Sequence, residues 1–304
     1  MIKTMRDAFL EELFEKMKQN EKIIIISVDF GAPVLDKIRK ECPKQVINIG
    51  IAEQNAINVG VGLALEGFIV YIYAIAPFIS MRAFEQIRVN MAILSEFRKM
   101  RVNIIAVAVG MSYSTSGATH HCLEDLSIIK TLPNIEIFSP SDYLLARGYV
   151  ERSLNKNGAK YIRLDGSAGE ALQNDLSEFD KGFRVLQDGN KLCIISTSYM
   201  SASLTKLVAK YPSIKLIDLY LINAYDYSSL KKELENFSTV ITVEEGFKNA
   251  GGLDAEINFN FKDKKVLNIG LKKKYCLDVG GREFLHEKCE IDTKSIERVI
   301  KECL

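Results

Sequence analysis

The feature that most constrains the fold is the alternation of short, uninterrupted apolar segments with longer amphipathic ones. In the first half of the chain the apolar segments lie at residues 22–28, 68–74, 102–110 and 135–140. Their length and their isoleucine and valine content are typical of strands that are buried on both faces. Amphipathic stretches, such as residues 78–94 and 142–155, lie between them. The pattern therefore predicts an α/β fold with a largely parallel sheet flanked by helices.

A polar, glycine-bearing segment divides this series from a second one. The segment follows "YIRLDG" at residues 161–166 and has no strong periodicity. Apolar segments then resume at residues 191–198, 214–220 and 239–245, and a closing helix is expected from Thr293. A chain of 304 residues is long enough for two cores. We therefore expect two domains, residues 1–170 and 183–304, joined by a linker of residues 171–182.

Composition excludes several classes of function. The 40 basic and 39 acidic residues give a net charge of +1, so no general attraction to nucleic acid or anionic membranes is expected. No apolar stretch approaches the roughly 20 residues needed to span a bilayer. The first 20 residues have an amphipathic helix pattern, not that of a signal peptide. Six scattered cysteines without a Cys-x-x-Cys pair are typical of reduced thiols, so we expect a soluble, cytoplasmic protein.

One acidic residue begins a helix that is unusually rich in small residues. Glu53 precedes the apolar run, in which Gly60 and Gly62 each weaken the helix by about 1 kcal/mol relative to alanine. A carboxylate at this position complements the helix dipole, and that alone would explain it. Phe78 is a second candidate, because it follows a strand and Pro77 at a helix entrance, where a ring can face a crevice. Ligand crevices of parallel sheets lie at the carboxyl ends of the strands.

The loop "GMSYSTSGATHHCLEDL" at residues 110–126 follows a predicted strand and contains two of the three histidines. His120, His121, Cys122 and Asp125 lie close enough in sequence for a zinc site to be considered. Adjacent histidines rarely point at one ion, and no second ligand pair has zinc-like spacing, so we expect no metal ligands in this chain. A polar catalytic loop is expected instead, with one histidine lining the site. Arg6 is either an anion contact or an ordinary surface arginine.

Together these stretches resemble the second half of a transketolase. "INIGIAEQNAINVGVGLALEG" (47–67) resembles the helix that carries the family's activating glutamate, and "GATHHCLEDLSIIKTLPNIEIFSPSD" (117–142) resembles the family's Gly-Pro-Thr-His loop. "VITVEEGFKNAGGLDAEI" and "DVGGREFLHEKCEID" resemble its C-terminal domain. The resemblance runs almost end to end and in order. It implies a thiamine-diphosphate pyrimidine-binding fold followed by a transketolase C-terminal domain.

One part of the family pattern is missing. Transketolases fused into one chain hold the cofactor's diphosphate through Mg²⁺ with a Gly-Asp-Gly motif and a downstream asparagine, and this sequence has no such motif. The resemblance therefore implies one subunit of a split transketolase. A separate N-terminal subunit would hold the diphosphate and Mg²⁺, and we expect a tetramer with two copies of each subunit. The enzyme would transfer a two-carbon ketol unit from a ketose to an aldehyde, with a sugar or sugar phosphate as substrate.

The resemblance also assigns roles to individual residues. Glu53 matches the glutamate that hydrogen-bonds the pyrimidine of thiamine diphosphate, and Phe78 matches the aromatic residue that stacks on it. His120 matches the histidine that contacts the donor's hydroxyl groups, and Arg6 an arginine that binds substrate phosphate. The other matching positions are Ile51, Met81 and Arg82 for the cofactor and Ser116 and Arg163 for the substrate.

Three departures affect the substrate side. Ser116 stands where the family has an acidic residue, and a histidine expected upstream in the same loop is absent. Gly166 replaces the second arginine of the usual Ile-Arg-x-x-Arg strand end, although Arg163 remains. Since bidentate arginines hold phosphate in such sites, the loss of one suggests a different acceptor, such as a modified or nucleotide-linked sugar.

Three alternatives stay open at this point. Deoxyxylulose-phosphate synthase shares the cofactor and much of the loop pattern, but it is normally a single long chain. The β subunit of 2-oxoacid dehydrogenases has the same two-domain layout, but its loop usually reads Gly-x-x-His-Ser-Gln. A regulatory or scaffold subunit without catalysis would not need Glu53, Phe78 and His120 together.

Overall fold

The first part of the chain forms a six-stranded, fully parallel sheet. A computed structural model describes residues 2–304. The strands are β1 (Lys3–Thr4), β2 (Ile23–Ser27), β3 (Val46–Asn48), β4 (Ile69–Ile75), β5 (Arg101–Val107), β6 (Ile135–Phe138), β7 (Gly158–Leu164) and β8 (Ala168–Gly169). The order in the sheet is β3-β2-β4-β5-β7-β6, while β1 and β8 form a separate antiparallel pair.

Helices cover both faces of this sheet. They are α1 (Met5–Met17), α2 (Pro33–Glu41), α3 (Glu53–Leu65), α4 (Ala76–Arg82), α5 (Phe84–Gln86), α6 (Asp125–Ile129) and α7 (Tyr143–Asn155). A π-helix, Ile87–Ile93, continues α5. On one face of the sheet, apolar residues of α3 and α4 pack against alternate residues of β2 and β4. On the other face, α1, α2 and α7 pack against the intervening residues of the same strands. These two layers bury the apolar strands from both sides.

The second part of the chain repeats the α/β plan. Its strands are β9 (Phe183–Gln187), β10 (Leu192–Ser196), β11 (Ile214–Leu219), β12 (Thr239–Phe247) and β13 (Lys265–Leu271). Its helices are α8 (Ser198–Val208), α9 (Tyr227–Leu234), α10 (Leu253–Asn260), α11 (Arg282–Lys288) and α12 (Thr293–Cys303). The sheet order is β13-β12-β10-β11-β9, and only β9 is antiparallel to its neighbour.

The predicted fold class, two largely parallel sheets flanked by helices, is confirmed. The exact domain boundaries, with a linker at residues 171–182, stay a prediction. The two sheets are joined by buried polar contacts: Arg184 donates hydrogen bonds to Asp142 at 2.7 Å and to Asp218 at 3.0 Å. Within residues 2–304, every helix is too short or too polar to cross a bilayer.

The glycines of α3 have different environments. A Cβ on Gly60 would lie 2.8 Å from Ile72 Cδ1 of β4, so glycine is what allows the helix to approach the sheet this closely. Gly62 has no atom within 4 Å of the equivalent position. Close packing on β4 therefore explains only one of the two glycines.

Candidate active site

Three of the residues singled out in the sequence follow three strands of the same parallel sheet. Glu53 begins α3 shortly after β3, Phe78 lies in α4 directly after β4, and His120 lies on the loop after β5. The carboxyl ends of parallel strands meet at one edge of a sheet. The structure accordingly brings these three side chains to the same edge.

Glu53 lies at an unusual helix start. The preceding residue, Ala52, has no polar side chain that could cap the helix. The carboxylate of Glu53 lies in the first turn, at the positive end of the helix dipole. The residue is only 3% exposed. Oε1 accepts a 2.7 Å hydrogen bond from Nη1 of Arg82, while Oε2 is buried and has no partner among residues 2–304. Such orphaned buried oxygens are rare in folded proteins, because they cost the desolvation energy without a hydrogen bond in return.

Phe78 connects the glutamate to the histidine loop. Its half-buried ring has the Arg82 guanidinium 5.3 Å from its centroid and the His120 ring at a centroid distance of 5.3 Å, edge to face. Glu53, Arg82, Phe78 and His120 thus form one continuous row of contacts. The sequence predicted that these four residues belong to one site, and the structure brings them together.

The two adjacent histidines differ in environment. His120 is partly exposed, and its Nδ1 lies 3.1 Å from Thr119 Oγ1. His121 is buried, and neither of its ring nitrogens makes a hydrogen bond of normal geometry with residues 2–304. Burial lowers the pKa of His121, so this ring is neutral at pH 7. Of the pair, His120 is the one whose ring contacts Phe78.

Aromatic residues that the sequence analysis did not single out extend the row beyond His120. The Tyr113 ring lies 6.5 Å from that of His120, Phe30 lies 6.5 Å from Tyr113, and Phe30 stacks on Tyr73 at 5.4 Å. Arg6 lies beside the two tyrosines and is paired with Asp7 at 2.8 Å. The signal that could have revealed Phe30 and Tyr113 is their position just after strands.

Arg163 is held inside the protein by side-chain partners. Its Nε and Nη2 donate to the two carboxylate oxygens of Asp125 at 2.7 and 3.0 Å, and Nη1 donates to Ser139 at 2.8 Å. The side chain is only 4% exposed, so its hydrogen-bonding groups are used inside the protein. The guanidinium thus contacts Asp125 and Ser139 in this structure, and the substrate contact expected for Arg163 stays a prediction. Ser116 and Gly166 are exposed, and the Gly166 N–H donates to Ser112 Oγ at 2.9 Å.

The remaining cofactor candidates lie on the surface. Ile51 is 77% exposed and Met81 41% exposed, next to Glu53 and Arg82 in sequence. The π-helix that packs against α3 adds Ile93, which is 45% exposed. We call these three exposed residues, Ile51, Met81 and Ile93, the apolar rim. Exposed apolar patches are typical of surfaces that another molecule covers.

Comparisons with known proteins agree with this layout. The family model described as "Transketolase, pyrimidine binding domain" matches residues 2–168. A subunit of the apulose-4-phosphate transketolase of Phocaeicola vulgatus is 32% identical over 257 residues, which cover 82% of this chain and 81% of that protein. A putative transketolase C-terminal section of Methanocaldococcus jannaschii is 30% identical over 292 residues, covering 92% and 88%.

A solved structure extends the match over both sheets. A split-gene transketolase, determined as an inactive β4 tetramer, superimposes with a TM-score of 0.84 at 27% identity. The superposition covers 99% of this chain and 98% of that one. The similarity therefore includes the second sheet as well as the part that contains Glu53, Phe78 and His120.

Proposed function

This chain belongs to the transketolase family, and from that membership we propose that it supplies the Glu53 half of an active site that a separate subunit completes. The enzyme is of the thiamine-diphosphate-dependent transketolase type, which transfers a two-carbon ketol unit from a ketose to an aldehyde. The roles of individual residues, the metal and the stoichiometry given below are part of the proposal.

The observation that carries the proposal is the orphaned oxygen of Glu53. A buried carboxylate oxygen without a partner fits a ligand that brings its own ring nitrogen, and the half-exposed ring of Phe78 fits a flat heterocycle beside it. When bound, thiamine diphosphate supplies the carbon nucleophile for cleavage and formation of carbon–carbon bonds. Glu53 Oε2 then shares a proton with the ligand, and Arg82 holds the carboxylate in place through Oε1.

The diphosphate and Mg²⁺ are assigned to a partner subunit. The family's Gly-Asp-Gly motif is absent from this sequence, and within residues 2–304 no three His, Cys, Asp or Glu side chains are grouped closely enough to bind a metal. Relatives of similar length are named as a transketolase subunit and as a transketolase C-terminal section. The apolar rim of Ile51, Met81 and Ile93 is the surface that we assign to this partner. We propose a cytoplasmic tetramer with two copies of each subunit.

On the substrate side, we assign donor hydroxyl groups to His120 and an anionic or hydroxylated acceptor to Arg6. Arg6 is already paired with Asp7, Arg163 is engaged by Asp125, and Gly166 offers no side chain. A dianionic phosphate thus finds fewer free cations here than a bidentate arginine site would offer. We therefore propose a sugar acceptor that is not a simple pentose phosphate. Strict preference for pentose phosphates in an acceptor screen would contradict this assignment.

Reconstitution tests the proposal as a whole. This chain is mixed with a diphosphate-binding transketolase subunit, thiamine diphosphate and Mg²⁺, and ketol transfer from a ketose donor is followed. We expect transfer by the complex and little cofactor binding or turnover by either chain alone. A complex that forms but transfers no ketol unit from any ketose, or full activity of this chain alone, would contradict the proposal.

A further inference from the structure

The two ends of the loop that carries His120 are hydrogen-bonded to each other. The Gly110 N–H donates to the Cys122 carbonyl at 3.0 Å, and the Cys122 N–H donates back to the Gly110 carbonyl at 2.8 Å. These two bonds form the base of the 110–122 segment. A group that holds this base therefore helps to fix the position of His120.

The base is held by a strand of the second sheet. Glu245 in β12 accepts a 3.1 Å hydrogen bond from the N–H of Met111 at the start of the loop. A Cβ on Gly110 would lie only 2.0 Å from Glu245 Oε2, so no larger residue fits over the carboxylate. At the other end of the loop, a Cβ on Gly246 would lie 3.3 Å from the Leu123 carbonyl oxygen. The end of β12 therefore contacts both ends of the loop.

Glu245 is itself held rigidly. Its Oε1 accepts a 2.7 Å hydrogen bond from Arg282 Nε and a second one from His286 Nε2. Arg282 in turn donates to Asp165, which follows β7, at 2.7 and 3.0 Å, and its guanidinium lies 3.5 Å from the Tyr199 ring centroid. Burial alone would raise the pKa of Glu245, but the charge and hydrogen bonds of Arg282 and the bond from His286 outweigh it and lower the pKa. The carboxylate is thus ionised and fixed from two sides.

The neighbouring glutamate has no such role. Glu244 is also buried in β12, but its carboxylate accepts a 3.0 Å hydrogen bond from the N–H of Asp254 at the start of α10. A register irregularity between Val243 and Phe247 lets two consecutive side chains be buried. Glu244 is therefore a matched control: the same residue type in the same strand, without a hydrogen bond to the His120 loop.

We propose that Glu245 is a positioning residue for His120, and that the second sheet takes part in catalysis by fixing the base of the substrate loop through this carboxylate. The inference rests on the proposed function for the role of His120. It goes further by assigning a task in the reaction to a residue that lies outside the part matched by the pyrimidine-binding family model.

The test uses the complex with the diphosphate-binding subunit and compares Glu245→Gln, Glu245→Asp and Glu244→Gln. Glu245→Gln keeps the length of the side chain and loses its charge, while Glu245→Asp keeps the charge for Arg282 and is too short to reach Met111. For both Glu245 variants we expect kcat/KM for the ketose donor to fall about tenfold to hundredfold, as misplacement of a substrate-orienting group by about 1 Å does. Deuterium exchange at C2 of bound thiamine diphosphate, which needs no donor, should stay within about twofold of the wild type.

Hydrogen exchange gives a second readout in the folded variants. Amides of residues 111–122 should exchange faster in Glu245→Asp than in Glu244→Gln, because the loop base has lost its hydrogen bond. Donor kcat/KM of Glu245→Asp equal to that of Glu244→Gln, with unchanged exchange in the loop, would overturn the inference. Absence of both C2 exchange and ketol transfer in the wild-type complex would instead contradict the proposed function, so the two failures are distinguishable.

Discussion

Arg82 donates a 2.7 Å hydrogen bond to one carboxylate oxygen of Glu53, while the other oxygen is buried without a partner among residues 2–304. The arginine thus satisfies one oxygen of the carboxylate, and the other is the oxygen that we assign to the ligand. Because Arg82 also lies over the Phe78 ring, the acid and the proposed stacking surface are held by the same side chain.

Replacing Arg82 should loosen this arrangement. A hydrogen bond between charged groups contributes about 1.5–3 kcal/mol when buried, but half of the Arg82 side chain is exposed, so we expect Arg82→Met to weaken thiamine diphosphate binding only about three- to tenfold. Calorimetric titration of the reconstituted complex measures this. Arg88→Met is the control, because Arg88 is exposed on the following π-helix and pairs with Glu85. Equal affinities of the two variants would contradict the role of Arg82.

The aromatic ring of Phe78, and not only its volume, should contribute to cofactor binding. Removing the side chain in Phe78→Ala should raise the cofactor Kd about tenfold, as expected when a half-buried aromatic contact is lost. Phe78→Leu keeps the apolar volume without the ring, so its Kd should lie between those of the wild type and Phe78→Ala. Wild-type affinity in Phe78→Ala would contradict the stacking role.

Arg163 should affect stability and not substrate binding. Its guanidinium is paired with Asp125 in the protein interior, and removal of one partner of such a pair costs about 3–5 kcal/mol, because the other charge stays buried alone. Arg163→Met should therefore lower the free energy of unfolding in urea by about this amount. The KM values for donor and acceptor should not change. A raised acceptor KM at unchanged stability would restore the substrate role that the sequence suggests.

Glu244 gives a pH-dependent prediction. Burial raises the pKa of this carboxyl from the usual 4.5 to about 7. The folded chain therefore holds the proton more tightly than the unfolded chain, and the stability that this group contributes is complete below about pH 4.5 and is lost as the pH rises through about 7. Glu244→Gln cannot ionise, so its stability relative to the wild type should increase by up to about 3 kcal/mol between pH 5 and pH 8.

Urea unfolding at several pH values between 5 and 8 measures this difference. Glu66→Gln, at an exposed position, serves as the control. A free energy of unfolding for Glu244→Gln that runs parallel to that of the wild type over this range would show that Glu244 does not titrate there.

The apolar segments of the sequence predicted most strands of the first sheet, but they did not predict β3 or β7. β2, β4 and β5 were recognisable from their apolar residues, whereas β7 contains Lys160 and Arg163 within a buried stretch. Lys160 donates to main-chain carbonyls at 2.5 and 3.1 Å, and Arg163 is neutralised by Asp125. Such charges are tolerated because they have partners in the main chain or partners that are distant in the sequence, and composition does not reveal these partners.

For the site, sequence and resemblance together pointed to Glu53, Phe78 and His120, because each follows a predicted strand or matches a family motif. They did not point to Glu245, whose contact with Met111 joins residues 134 positions apart. They also did not reveal that Gly60 allows the close packing of α3 on β4. Contacts of this kind depend on how the two sheets pack, which no local pattern encodes.

The most direct test of the central claim is deuterium exchange at C2 of thiamine diphosphate in the complex of this chain with its diphosphate-binding subunit. If Glu53 Oε2 shares a proton with the cofactor, Glu53→Gln should slow this exchange at least about a hundredfold. Glu66→Gln, at the other end of the same helix, should leave the exchange rate unchanged. Wild-type exchange in Glu53→Gln would contradict the assignment of Glu53 as the residue that activates the cofactor.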